Sequence, residues 1–260
     1  MTSPRPLAAV LQRPALNRLA AFIERHWRVV FELLFIIPAY TAYQFVRGNV
    51  GGDAGAAFDN ATRLIHVERQ LGIFHEAFLQ QLILPKGWMV DVFNYVYIYG
   101  HLPVIIMVAI WLYVSHRHNY AFFRNAFLIS GIIALIGFTT VPLAPPRYMP
   151  EFGFTDTIIT AKSYYVLQSP KIVNQYAAMP SLHFGWDLLV ALAIFVNARR
   201  PLIRLVTMVM PLVTLGGIVL TGNHYFLDAV AGAGVACLGL GIAWMLRRSV
   251  SRDRLLAFLT

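Results

Sequence analysis

Two short strings carry the residues best suited to chemistry: Pro180-Ser181-Leu182-His183 and Gly222-Asn223-His224-Tyr225-Phe226-Leu227-Asp228. His224 and Asp228 are four residues apart, so a helix starting at or before His224 would put them on one face. A carboxylate there accepts from one ring nitrogen, fixes the tautomer and leaves the other nitrogen as a nucleophile. His183 lies three residues after Pro180, and proline favours the first turn of a helix. The free N–H groups of that turn and the Ser181 hydroxyl form an anion site, and His183 one turn in can protonate a leaving alkoxide. Arg147 follows Ala144-Pro145-Pro146 and offers a planar fork to phosphate. In type and order these residues fit phosphoryl transfer with a histidine nucleophile. The competing readings are a structural His–Asp pair, a core histidine and an arginine touching lipid headgroups.

Further candidates surround them. Asp187 follows His183 by four and either orients it or is bonded inside the bundle. His101, with Asn94, Tyr95 and Tyr99, lines one half of an apolar run, and His101, Tyr99 and Asn223 are candidate substrate contacts. His116 and His118 read as loop residues. Two histidines and a carboxylate can also form a facial metal triad, so a metal-dependent hydrolase is an alternative, although no metal ligand set is assigned and no cofactor is expected. A non-catalytic lipid transporter is a third reading. Transporters more often show internal repeats or interrupted helices, and the sequence shows neither.

The elements that must position these residues are membrane helices. Of 260 residues, 58% are hydrophobic and 13% charged, about half the charge of a soluble domain. Six apolar runs approach the roughly 20 residues needed to cross a bilayer: Val29–Val46, Phe93–Val114, Phe122–Pro142, Ser181–Asn197, Leu202–Leu220 and Tyr225–Leu246. The expected fold is an all-α integral membrane bundle of six transmembrane helices, a single domain over residues 1–260. A basic leader, residues 1–28, precedes the first run, which has no small-residue cleavage site and reads as an anchor.

The positive-inside rule orients the chain. With both termini cytoplasmic, 14 of the 21 Arg and Lys residues fall on the cytoplasmic side. The other seven share the outer loops with seven acids: Asp53, Asp59, Glu68, Glu76, Asp91, Glu151 and Asp156. The net charge of +9 then reflects topology and contact with anionic lipid. No nucleic-acid motif is present, and Cys237 alone excludes a disulfide framework. In this topology Arg147, His183 and His224 fall on the outer side of the plasma (inner) membrane. Residues 47–91 and 143–179 form long extracytoplasmic loops. In the first, Asp59 or Asn60 is a candidate helix cap, and Leu71, Phe74, Phe78 and Leu82 make an apolar stripe suited to a helix on the membrane surface.

Pro180–His183 and His224–Asp228 resemble the second and third signatures of the type 2 phosphatidic acid phosphatase superfamily. The string Leu220–Asp228 is most similar to its inositol phosphorylceramide synthase branch. The resemblance covers about residues 143–234, the expected catalytic region. It implies that His224 attacks phosphorus to form a phosphohistidine, that Asp228 supports it, that His183 protonates the leaving group, that Arg147 is the first signature's arginine and that no metal is needed. The chain departs from the common pattern where that has a lysine seven residues before the arginine and a Ser-Arg pair before the histidine. Thr140, Gly217 and Ile218 stand there. Ser181, helix amides, Lys162 or Lys171 are the candidate replacements. The expected activity is a lipid-phosphate phosphatase or phosphotransferase at the outer leaflet. The alternative is transfer of inositol phosphate to a lipid or glycan acceptor, with a polyol such as inositol as a partner beside the lipid.

Overall fold

A computed structural model describes residues 14–49, 53–160 and 174–259. Lys162 and Lys171 lie outside the described residues. The chain divides into two units, Met1–Phe45 and Val46–Thr260. Most of α1 (Pro14–Asn49) makes up the described part of the first unit. Pro38 lies inside this helix, and the Thr41 hydroxyl donates to the Ile37 carbonyl at 2.8 Å.

The second unit contains α2 (Ala54–Gln70), α3 (Glu76–Ile83) and α4 (Gly87–Tyr95), which runs through a π turn (Val96–Gly100) into α5 (His101–Ser115). Then come α6 (Arg117–Thr140), two 3-10 turns (Pro146–Tyr148 and Pro150–Phe152), α7 (Thr157–Thr160), α8 (Leu182–Asn197), α9 (Pro201–Leu220) and α10 (Phe226–Leu259). The described residues contain no β-strand, only an isolated bridge between Leu143 and Ala177. His118 belongs to the first turn of α6, not to a loop.

Among the described residues, five helices are long and apolar enough to cross a membrane: His26–Asn49, Gly87–Ser115, Arg117–Thr140, Pro201–Leu220 and Phe226–Ser249. The chain is a multi-pass membrane protein. The remaining apolar run is α8, whose 16 residues span about 24 Å, short of the roughly 30 Å hydrocarbon core. Leu202 and Leu212 of α9 are 68% and 67% exposed, as a lipid-facing stripe would be.

Glycines let α10 pack tightly against α6 and α8. A Cβ on Gly232 would meet the Ser181 carbonyl oxygen at 2.0 Å, and one on Gly239 would meet that of Ala126 at 2.6 Å. Small residues at such crossings let backbones approach. At the far end of the bundle from His224, Asn119 donates to Asn197 at 2.8 Å, Arg247 donates to Asn119 at 3.3 Å, and Arg204 donates to the Ala198 carbonyl at 2.9 Å.

A cap covers the end that carries His224. Ala57, Ala61, Leu64 and Ile65 of α2 bury themselves against Leu143, Ala144, Met149, Phe154 and Tyr225. Asn60 donates to the Pro142 carbonyl at 2.9 Å. The Gln80 amide behaves like a strand neighbour, donating to the Thr155 carbonyl and accepting from its N–H, both at 2.9 Å. Two expectations need correction. The cap of α2 is Asp53, whose side chain accepts from Gly55 N–H; Asp59 and Asn60 lie inside the helix. The stripe Leu71 to Leu82 does not lie on one helix, because Gly72, at φ +70°, breaks the chain between α2 and α3 where only glycine turns cheaply.

Candidate active site

His224 is not in a helix. It stands two residues before α10, in the tight connection that starts at Thr221 and turns at Gly222 (φ +68°). Its backbone N–H donates to the Ile218 carbonyl at 3.1 Å, which fixes the residue to the end of α9. Its Nδ1 lies 3.1 Å from the Ala178 carbonyl oxygen and 3.2 Å from Asp228 Oδ2. A carbonyl only accepts, so Nδ1 carries the hydrogen and the lone pair sits on Nε2. That Nε2 is buried and has no hydrogen-bond partner. Asp228, in the first turn of α10, is fully buried. The four-residue spacing therefore brings His224 and Asp228 together although the helix starts after the histidine.

Ser181, not Pro180, begins the next segment. It is the N-cap of α8, its hydroxyl accepting from Phe184 N–H, and His183 is the second helical residue. The Ser181 N–H donates to the Asp228 carbonyl at 2.9 Å, so the two signature strings are bonded backbone to backbone. The His183 and His224 ring centroids are 5.7 Å apart.

Arg147 sits in the 3-10 turn that Pro145 and Pro146 impose, and its N–H donates to the Gly222 carbonyl at 2.8 Å. Its buried guanidinium donates to Asn223 Oδ1 and, at 3.3 Å, to Gln175 Oε1. Asp156 Oδ2 lies 3.9 Å from Nε. Asn223 in turn donates to Thr221 Oγ1 at 2.7 Å. It holds the arginine fork on the strand of chain that leads to His224.

The π-turn helix contributes one ring that was anticipated and one that was not. His101 lies 4.6 Å from His183, centroid to centroid. Tyr97 lies 4.3 Å from His183 and 6.2 Å from His224, whereas Tyr99 packs on Tyr95 at 5.1 Å. The four-residue spacing of Tyr97 and His101 is the signal that places Tyr97 on that face. Asn94 is buried and donates to the Thr157 carbonyl at 3.2 Å. Asp187 is buried, and its Oδ2 has no hydrogen-bond partner. A cavity of about 500 Å³ opens between α5, α8 and α9, walled by Tyr97, His101, His183, Asp187, Met210 and Ile218. Among the described residues, no three His, Cys, Asp or Glu side chains gather closely enough to hold a metal ion.

Two acids read from sequence only as loop charges lie behind the site. Glu68 and Glu76 are fully buried. Glu76 Oε1 accepts from Phe226 N–H at 3.0 Å and Glu68 Oε1 from Leu227 N–H at 2.8 Å. Burial, then the neighbouring Glu76 side chain, pushes the Glu68 carboxyl up to about 9. Burial also pushes the Tyr225 hydroxyl up.

The chain belongs to the PAP2 superfamily, whose family model matches residues 62–242. It is similar to a phosphoinositol dihydroceramide synthase of Bacteroides thetaiotaomicron, with 29% identity over 170 residues, covering 58% of this chain and 55% of that protein. The chain thus spans about half the length of this curated relative. No solved structure matches it.

Proposed function

We propose that this protein is a membrane phosphotransferase that moves the phosphorus-bearing part of a lipid through a phosphohistidine on His224. One observation carries the reading: the His224 proton is held on Nδ1 by Ala178 and Asp228, which leaves a buried, unpartnered Nε2. In the first half-reaction Nε2 attacks phosphorus and the bond to the leaving alkoxide breaks. His183 gives that oxygen a proton, and Asp228 stabilises the cation forming on His224. Arg147, the Ser181 hydroxyl and the first amides of α8 bind the equatorial oxygens. In the second half-reaction a hydroxyl gives its proton to His183 and attacks phosphorus, releasing His224.

Asn223 keeps the Arg147 fork in place, and His101 and Tyr97 line the way to the cavity. That cavity, of a size usual for ligand pockets and mostly apolar, receives the lipid's hydrocarbon. The relative's name favours an alcohol as acceptor, with a phosphoinositol-like headgroup transferred. Water as acceptor would make the protein a phosphatase. The clustering of Arg and Lys supports six crossings, with α8 as the short one, cytoplasmic termini and a site facing the extracytoplasmic side of the inner membrane.

The test is phosphorus product analysis on purified protein in EDTA, with lipid phosphates and phosphatidylinositol as donors and a lipid alcohol as acceptor. A new phospholipid, absent with His224→Ala, supports transfer; free phosphate makes water the acceptor. Turnover only after a divalent ion is added, or wild-type rates in folded His224→Ala, overturns the mechanism.

A further inference from the structure

We propose that Glu68 and Glu76 together clamp the start of α10 and thereby position His224 and Asp228, a role that rests on the phosphohistidine reading. The first amides of a helix have no partner within it, and usually a neighbouring Ser, Thr, Asp or Asn side chain supplies one. The residue before α10 is Tyr225, which cannot cap in this way. The acceptors come instead from residues 150 and 159 positions away in sequence: Glu76 takes Phe226 N–H and Glu68 takes Leu227 N–H. Because His224 stands just outside the helix and Asp228 in its first turn, this joint sets the angle between them.

Two buried carboxylates side by side are costly, and the geometry shows how the cost is met. Each acid uses Oε1 on an amide and leaves Oε2 buried without a donor. Two facing acceptors are both satisfied by one proton between them. Retention of that proton on Glu68 up to about 9 fits this arrangement, which leaves one negative charge for the positive end of α10. The groups facing the pair are Asp228 and the Tyr225 hydroxyl; Glu151 and His224 lie around those two. Among these, ionising both acids adds charge next to Asp228 and loosens the joint.

Glu68→Gln replaces the protonated acid by a neutral amide of the same shape, whereas Glu76→Gln removes the charge. Full-length protein in detergent is compared as wild type, Glu68→Ala, Glu68→Gln and Glu76→Gln. Deuterium uptake at Tyr225–Asp228, kcat, KM and thermal unfolding are followed from pH 7 to 10. Glu68→Ala and Glu76→Gln are expected to raise uptake and lower kcat at least 10-fold at pH 7, with KM within about 2-fold. Glu68→Gln is expected to restore both and to lose the wild type's fall in activity and rise in uptake near pH 9. Wild-type uptake in Glu76→Gln, or one shared pH profile for wild type and Glu68→Gln, overturns the clamp. If Glu76→Gln does not fold, the Glu68→Gln profile alone decides. Absence of His224-dependent turnover in the wild type overturns the phosphohistidine and leaves the uptake comparison to judge the clamp.

Discussion

Two acceptors meet the Nδ1 hydrogen of His224, and they do different work. The Ala178 carbonyl alone fixes the tautomer; Asp228 adds a negative charge. On the proposed mechanism, asparagine at 228 would therefore keep the nucleophilic nitrogen in place but lose support for the cation that forms as phosphorus is attacked. Asp228→Asn is expected to lower kcat about 10²-fold, the low end of the roughly 10²–10⁴-fold range for groups acting in proton and charge management, while His224→Ala loses all turnover. Steady-state rates on one lipid substrate, with unfolding checked in parallel, measure both. At this scale the sequence was informative about the residues within the two strings, because four-residue spacing survives even though His224 lies outside the helix. It was silent about Ala178 and about Glu68 and Glu76, whose partners are backbone groups far along the chain and leave no local pattern.

Among the elements, the contact between α8 and α10 matters most, since it joins Ser181 N–H to the Asp228 carbonyl at 2.9 Å. Gly232 permits it. A methyl there would stand 2.0 Å from a backbone oxygen, whereas one on Gly234 would meet nothing within 4 Å. Gly232→Ala is expected to cost at least about 1–3 kcal/mol from overpacking, to lower Tm by roughly 2–4 °C per kcal/mol and to reduce activity. Gly234→Ala serves as the matched control, with Tm unchanged or slightly raised; thermal unfolding in detergent separates the two. The apolar runs located the helices well, since membrane-length hydropathy is a strong signal. The cap was harder to read. Its helices are set by a φ above zero at Gly72 and by Asp53 as cap, and a lone glycine or aspartate in a polar stretch gives many equally good choices. Tyr97 was within reach, four residues from His101 on the same face, while Tyr99 faces away to Tyr95.

For the whole molecule, division of labour is the main result. Arg147, Ser181, His183, His224 and Asp228 come from the chain around the cap, where Ser181 N–H is bonded to the Asp228 carbonyl and Arg147 N–H to the Gly222 carbonyl. The far end holds the Asn119, Asn197 and Arg247 contacts. Hydropathy and charge made this polarity visible in the sequence; the cavity was not visible, because its wall residues on α9 look like any lipid-facing valine or methionine. In that wall Leu205, Val206, Val209, Met210 and Val213 present purely apolar side chains, which cannot hydrogen-bond the histidines. If the slot takes the lipid's hydrocarbon as proposed, it acts as a ruler for tail length, adjustable without rewriting the reaction. Met210→Trp shortens the ruler, and competition between long- and short-chain donors should shift the product ratio towards the short chain. An unchanged ratio would mean that the hydrocarbon lies elsewhere. With a shifted ratio, relatives with the same reacting groups would be free to sort lipids by tail length through α9 alone.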